Sequence, residues 1–382
     1  MLLLAFLLIV PSGTSAKAPA RAALKKLLEK GATCKVVQAT RCKATRDLVA
    51  LGKPAILGLS NLLKTSRRRQ KAVIIAALGD LRAASMGGAI LREIKSRVPV
   101  VRHAAIVAIA RLNPPGSVKA LAAALGKVDP NEKAMVAAAL GQTRSPGALQ
   151  PLLSALKHPH PRVQMTVVQA LAQLGQKGVY EALEKFAGQK KLSPPVKIAL
   201  LKAYGLLGDK RATTWVGRAL SDGNEKVKKN ALKALGSLRD PKAVPAILPL
   251  LKEDAWVLEA VSVLGLTGSA DALPGLLRII RGESASAELL EKTFWAIGET
   301  RAASVVGTLT PFLKDARTNV AAWAAGALGR IGDKKAARAL FVALKSDDKN
   351  LKSMAVWALE KLSGKRFGTE PSRWEDWVNE QR

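Results

Sequence analysis

Aromatic residues make up only 4% of this 382-residue chain, which holds three histidines, two cysteines and 29 acidic residues against 61 basic ones. The alternating Val, Ile and Thr runs that strands require are missing, while Ala, Leu and Lys abound, so the sequence reads as nearly all helical. The scarcity of histidine narrows the chemistry. His103 stands alone, and His158 and His160 lie in His-Pro-His-Pro, where the prolines prevent a helical metal-binding pair. Cys34 and Cys42 cannot make a four-ligand zinc site by themselves, and no His lies near them. No Gly-rich phosphate cradle is present. Ser154 and Lys157 match a Ser-x-x-Lys spacing, but one that recurs by chance on an amphipathic helix. The chain is therefore not read as an enzyme, and no cofactor or metal is expected.

Acidic residues are not only few but unevenly placed. Residues 17–102 carry 20 Lys/Arg against 4 Asp/Glu, residues 103–250 carry 22 against 8, and residues 251–382 carry 19 against 17. A basic field over the first two-thirds favours acidic proteins, an anionic polymer or an anionic membrane surface. A lysine-rich surface serving solubility alone is the plainer alternative.

The amino terminus bears on which anions are met. MLLLAFLLIV is an apolar run of export-signal length, broken by Pro11 and Gly13 and followed by the small residues Thr14, Ser15 and Ala16. Residues 1–16 are accordingly expected to be a signal peptide and the protein to be exported, periplasmic or secreted. The run is too short to span a bilayer comfortably. It lacks Lys or Arg before the apolar stretch, which leaves a retained anchor or a mis-assigned start as alternatives. In an oxidising compartment Cys34 and Cys42 can pair. On one continuous helix they would stand about 12 Å apart, so a bond demands a turn between them; two independent thiols is the other reading.

Self-similarity is the strongest signal in the chain. A helix opening near Val-Lys or Val-Arg closes near Ala-Leu-Gly, then comes a turn and a second helix ending in Leu-Leu-Lys or similar. The closing anchor falls at Gly52, Gly79, Ala110, Gly141, Ala172, Gly205, Gly236, Gly265, Gly298, Gly329 and Glu360, spaced by 27 to 33 residues. A fixed period in this range marks a solenoid, whose helix pairs are too small to bury their own apolar stripes and must stack. Asp209, Asp240 and Asp333 sit where the next helix needs an N-cap, just after a helix end that Gly208 and Gly332 suit. Residues 17–40 are assigned as an N-terminal capping segment, 41–362 as the solenoid and 363–382 as a C-terminal amphipathic cap. In that cap Trp374, Trp377 and Val378 share one face opposite Arg373, Glu375, Asp376 and Glu380.

The pattern resembles the HEAT-repeat family, including the bacterial HEAT-like repeats first named for phycobilisome lyases. The residues that carry it are Val101-Arg102, Val196-Lys197 and Val227-Lys228, the Ala-Leu-Gly closings, and loops such as those holding Asp222 and Asp347-Asp348. The resemblance implies an all-α, right-handed α-solenoid of about eleven helical hairpins, with the Val-Arg to Ala-Leu-Gly helices on the inner, concave face. The expected function is a monomeric, non-catalytic binding scaffold of the cell envelope that presents a groove to a protein or peptide. The His-Glu dyads that define the HEAT-like iron hydroxylases are missing, though a cryptic lyase or hydroxylase-type activity stays an alternative. HEAT-like DNA glycosylases also combine positive charge with tryptophan, but nucleic acid is a partner only if the N-terminal segment is not a signal.

If those helices are inner, positions three and six before each anchor share a stripe. In the C-terminal units these are Asn230 and Lys233, Glu259 and Ser262, Lys292 and Trp295, Trp323 and Gly326, Met354 and Trp357. Trp295, Trp323 and Trp357, with Lys292 and Met354, are the candidate groove residues, since tryptophans are typical binding anchors. Packing between helices beside small neighbours is the alternative reading. The candidate basic patch is Arg67, Arg68, Arg69 and Lys71, joined by Lys226, Lys228, Lys229 and Lys233 on a later helix; a merely solvated face is its alternative.

Overall fold

The computed structural model describes residue 19 and residues 21–34, 42–126, 129–189, 191–317 and 319–381. Residues 1–16, the expected export signal, lie outside them. Two compact units divide the chain, Met1–Phe186 and Ala187–Arg382, and among the described residues there is no strand.

The first unit contains α1 (Arg21–Gly31), α2 (Lys43–Ala50), α3 (Ala55–Thr65), α4 (Arg68–Asp80), α5 (Gly87–Glu93) and α6 (Pro99–Leu112). It continues with α7 (Ser117–Leu125), α8 (Pro130–Thr143), α9 (Leu149–Leu156), α10 (Pro161–Leu174) and α11 (Val179–Ala187), whose last residue is the first of the second unit. In the second are α12 (Pro194–Leu207), α13 (Thr213–Arg218), α14 (Glu225–Leu238), α15 (Val244–Ile247), α16 (Val257–Thr267) and α17 (Leu273–Arg281). After them come α18 (Ala287–Glu299), α19 (Val306–Leu309), α20 (Val320–Ile331), α21 (Ala337–Leu344), α22 (Lys349–Ser363) and α23 (Ser372–Asn379). The even-numbered helices carry or immediately precede the anchors and pack in succession, α2 to α10 in the first unit and α12 to α22 in the second.

In several copies the glycine of Ala-Leu-Gly presses against the next anchor helix of the same unit. A Cβ placed on Gly79 would stand 2.7 Å from the Ala108 Cβ and 2.9 Å from its Cα; on Gly141 it would meet Ala170 at 2.7 and 2.8 Å. In the second unit Gly329 meets Ala358 in the same way, at 2.8 Å. Each time the alanine two places before one anchor touches the glycine anchor of the preceding repeat, so the backbones approach as closely as a missing Cβ allows. The intervening Leu78, Leu140, Leu235, Leu328 and Leu359 are fully buried.

The Val-Lys/Arg opening has a matching cause. Val101, Val196 and Val227 are buried, and the basic residue after each reaches an acid of the following repeat. Arg102 pairs with Glu132, Lys197 Nζ lies 2.6 Å from Asp222, and Lys228 Nζ lies 3.0 Å from Glu253. One residue of the pair fixes the helix start in the core and the other ties neighbouring repeats together.

Asp209, Asp240 and Asp333 accept backbone N–H bonds from Arg211, Lys242 and Lys335, at 3.0, 3.2 and 2.9 Å. They open single 3-10 turns that lead into the short odd-numbered helices, rather than capping an α-helix directly. The left-handed exits expected at Gly208 and Gly332 have φ of +66° and +77°.

At the N-terminal end Leu24 and Leu28 of α1 are buried, and Cys34 and Cys42 form a disulfide with their Cα atoms 5.6 Å apart. At the other end α23 packs on α21. Trp374, Trp377 and Val378 are buried, and the Trp374 indole N–H donates to the Gly368 carbonyl at 2.8 Å. Phe367 and Trp377 flank that ring edge-on, at 5.0 and 6.0 Å.

Candidate functional site

Trp295 on α18, Trp323 on α20 and Trp357 on α22 are each half-buried. The first and last owe this to the repeat. The Trp295 ring rests on the Gly265 anchor of the preceding helix, and the Trp357 ring rests on Gly329. A tryptophan three places before one anchor thus packs over the glycine of the previous one and keeps part of its surface open. Met354 Sδ would lie 3.3 Å from a Cβ on Gly326, which places it beside the same helix crossing.

Arg330 belongs to this cluster, although sequence reasoning passed over it. Its guanidinium stands 5.3 Å from the Trp357 ring centroid, its Nη1 donates to the Gly326 carbonyl at 3.2 Å, and its Nε lies 3.5 Å from Glu299. Lys361 approaches the same ring, at 5.8 Å. The signal available in the sequence was its place directly after the Gly329 anchor.

Upstream of the tryptophans, a recess of about 700 Å³ runs across α14, α16 and α18. Lys233, Glu259, Ser262 and Lys292, all on the expected stripe, line it together with Lys229 and Arg239. Its floor is aliphatic, from Leu232, Leu258, Val263 and Leu266. Lys292 Nζ contacts Glu288 at 3.1 Å, an exposed pair of little energetic weight, so its charge remains largely available. Among the described residues no ion pair engages Lys229, Lys233 or Arg239.

The expected basic patch separates into free and paired groups. Arg67, Arg68 and Arg69 are exposed, but Lys71 Nζ pairs with Glu93 at 2.8 Å. On α14, Lys226, Lys229 and Lys233 are exposed, whereas Lys228 turns to Glu253 and lies 5.5 Å from the Trp256 ring centroid. Lys71 and Lys228 therefore serve contacts between repeats.

The first unit holds a buried charge cluster with no counterpart in the sequence reading. Glu132 is 1% exposed and takes a two-pronged bond from Arg102, one prong at 2.7 Å, with His103 Nε2 3.4 Å from the same carboxylate. Arg102, by hydrogen bonding foremost and against the cost of burial, holds the Glu132 carboxyl below its usual range. The Asp129 carboxyl is held low mainly by the backbone N–H groups of Glu132 and Asn131, which it caps.

The other histidines act as backbone acceptors. His158 Nδ1 accepts from the His160 N–H at 3.1 Å, and His160 Nδ1 accepts from the Arg162 N–H at 3.2 Å. Burial first, then Lys133 and His160, hold the His158 imidazole below its ordinary pKa. Ser154 and Lys157 border a recess of about 450 Å³, and among the described residues no hydrogen bond joins them. Among the described residues no group of three or more His, Cys, Asp or Glu could hold a metal ion, and no helix is long and apolar enough to cross a membrane.

A family model for HEAT repeats matches residues 89–157, 118–193, 188–266 and 306–369, more than half of the chain. The chain belongs to the HEAT-repeat family. Among solved structures, importin beta is 16% identical, with 90% of this chain and 55% of that one covered and a TM-score of 0.55. Kap95p, in a structure with RanGDP, is 13% identical over 94% of this chain and 58% of that one, with a TM-score of 0.54. The complex of CpcE and CpcF of phycocyanin lyase from Nostoc is 18% identical over 61% and 94%, at 0.34. At these identities the likeness to the importin-type chains is one of fold: the HEAT-repeat protein is an α-solenoid. Comparison with the curated proteins gives no match.

Proposed function

We propose that this HEAT-repeat protein is a non-catalytic scaffold of the cell envelope whose anchor-helix face in the second unit receives a protein or peptide segment. The observation that carries this reading is the set of half-buried Trp295, Trp323 and Trp357 on consecutive anchor helices, together with a recess on α14, α16 and α18 that bears Lys233 and Lys292. Partly open indole rings offer large apolar area with an N–H to fix a partner, and the lysines select one with acidic groups. Kap95p, of similar fold, binds RanGDP, which is consistent with protein recognition on such a frame. Export is supported by the apolar run before Lys17 and by the Cys34–Cys42 disulfide, a bond favoured outside the reducing cytosol. The exposed Arg67, Arg68 and Arg69 add a surface for an anionic polymer or membrane.

The experiment is crosslinking in envelope fractions with the native chain, a Trp323→Ala variant and a Lys233→Glu/Lys292→Glu variant, each checked for an unchanged helical spectrum. Partners lost in both variants support the groove; partners retained by both overturn it. Mass spectrometry of the mature chain tests export, which requires a new terminus at Lys17.

A further inference from the structure

The first unit contains a larger recess, of about 830 Å³, lined by α5, the turn at residues 94–97, Arg102 of α6 and α7. Four cationic side chains, Lys95, Arg97, Arg102 and Lys119, line it, and among the described residues no carboxylate does. Of the acids nearby in sequence, Glu93 pairs with Lys71, Glu132 with Arg102, and Asp129 caps α8 through the N–H groups of Asn131 and Glu132. Lys95, Arg97 and Lys119 are exposed and, among the described residues, make no ion pair. Three positive charges gathered without counterions repel one another, a cost that a bound anion would relieve.

The turn that presents two of them is fixed in advance. Arg102, itself held by the buried Glu132, donates from Nη1 to the Ser96 carbonyl at 2.8 Å. The Ser96 Oγ accepts from the Val98 N–H at 3.3 Å, and the Ser96 N–H donates to the Glu93 carbonyl at 3.0 Å. Lys95 and Arg97 therefore flank a pinned residue, and Lys119 reaches the same space from α7. The backbone that carries two of these charges is thus ordered before a ligand arrives, which removes the cost of ordering a loop.

The remaining lining decides what sort of anion fits. Leu91, Ile94, Ala120, Ala123 and Ala124 supply an aliphatic floor, and the small alanines leave its volume open. Among the described residues that line it there is no aromatic ring on which a nucleobase would stack, and Ser96 carries the one side-chain hydroxyl a sugar would meet. The volume is in the range of small-molecule sites. We infer that this recess binds a small amphipathic anion, a carboxylate head among Lys95, Arg97 and Lys119 with an aliphatic chain laid on the floor. The site lies in a different unit from the tryptophan row and does not depend on the function proposed for it.

Decanoate is the probe, with decanol as its neutral match, titrated by calorimetry into the full chain. The expected result is one decanoate per chain, bound at least about tenfold more tightly than decanol and weakened by salt. Arg97→Glu/Lys119→Glu should remove that preference, and Ala123→Trp, which fills the recess without altering charge, should abolish binding of both ligands. Equal affinity for decanoate and decanol, or unaltered binding by either variant, overturns the proposal. So does binding to phosphatidylglycerol vesicles without binding of monomeric decanoate, which would make the patch a membrane contact. Crosslinking through the tryptophan face is expected to persist in both variants, so each proposal can fail separately.

Discussion

The ring of Trp357 lies on Gly329, so close that a Cβ at that glycine would stand 2.8 Å from Cζ3 of the indole and 2.8 Å from the Ala358 Cα behind it. Backbone and ring together leave no direction in which one methyl group could be relieved. Gly329→Ala is expected to destabilise the protein by about 1–3 kcal/mol despite the better helix propensity of alanine, and to increase exposure of Trp357. Thermal melting and indole quenching by iodide read the two effects. Gly88 is the control: it is exposed on α5, and a Cβ added there would have no neighbour within 4 Å, so Gly88→Ala should raise stability by about 0.5–1 kcal/mol.

Glu132 makes the first unit sensitive to acid. Because Arg102 keeps its folded-state pKa below the unfolded value of about 4.3, the stabilisation is present above that value and is lost as pH falls through the folded pKa. Glu132→Gln should flatten this limb of a stability-against-pH curve. Arg102→Met, which leaves the buried carboxylate with only His103 beside it, should cost about 3–5 kcal/mol near neutrality and regain part of that in acid, as Glu132 protonates. Denaturant melts at several pH values measure both.

The Cys34–Cys42 bond closes a short loop, with a sequence separation of 8. By chain entropy such a closure stabilises by about 2–3 kcal/mol, so reduction, or Cys34→Ser/Cys42→Ser, should lower the melting temperature. Hydrogen exchange should locate the loss in α1 and α2, whose packing together adjoins the bond. An unchanged exchange pattern there would show that the bond is not what secures this end.

Trp374 is fully buried with its N–H bonded to Gly368. Trp374→Ala should cost about 3–5 kcal/mol, and limited proteolysis should then cut first near α23. Trp323→Ala, on a half-buried ring, should cost markedly less, which separates the closing helix from the half-buried row in one pair of melts.

Much of the architecture was legible in the sequence because it rests on local periodicity. The anchors named the even-numbered helices, and the i, i+3, i+4 pattern of Trp374, Trp377 and Val378 placed those three side chains on one buried face. The stripe position also brought Lys233, Glu259, Ser262 and Lys292 to one recess. Less of the site could be read. Lys71 and Lys228 look identical to their exposed neighbours until the next repeat supplies Glu93 and Glu253, and Arg330 draws attention only once Trp357 stands beside it.

By itself the sequence determined the helical repeat, the place of small residues at the helix crossings and the basic bias of the first two-thirds, since each follows from spacing or composition within a single unit. Tertiary structure alone decided which charges are spent between repeats, that Trp295 and Trp357 rest on glycines while remaining partly open, and that Lys95, Arg97 and Lys119 meet over an aliphatic floor. The physical reason is that a helix fixes the direction of its own side chains every 3.6 residues, whereas their partners come from segments 22 to 37 residues away, in a register set only when the repeats stack.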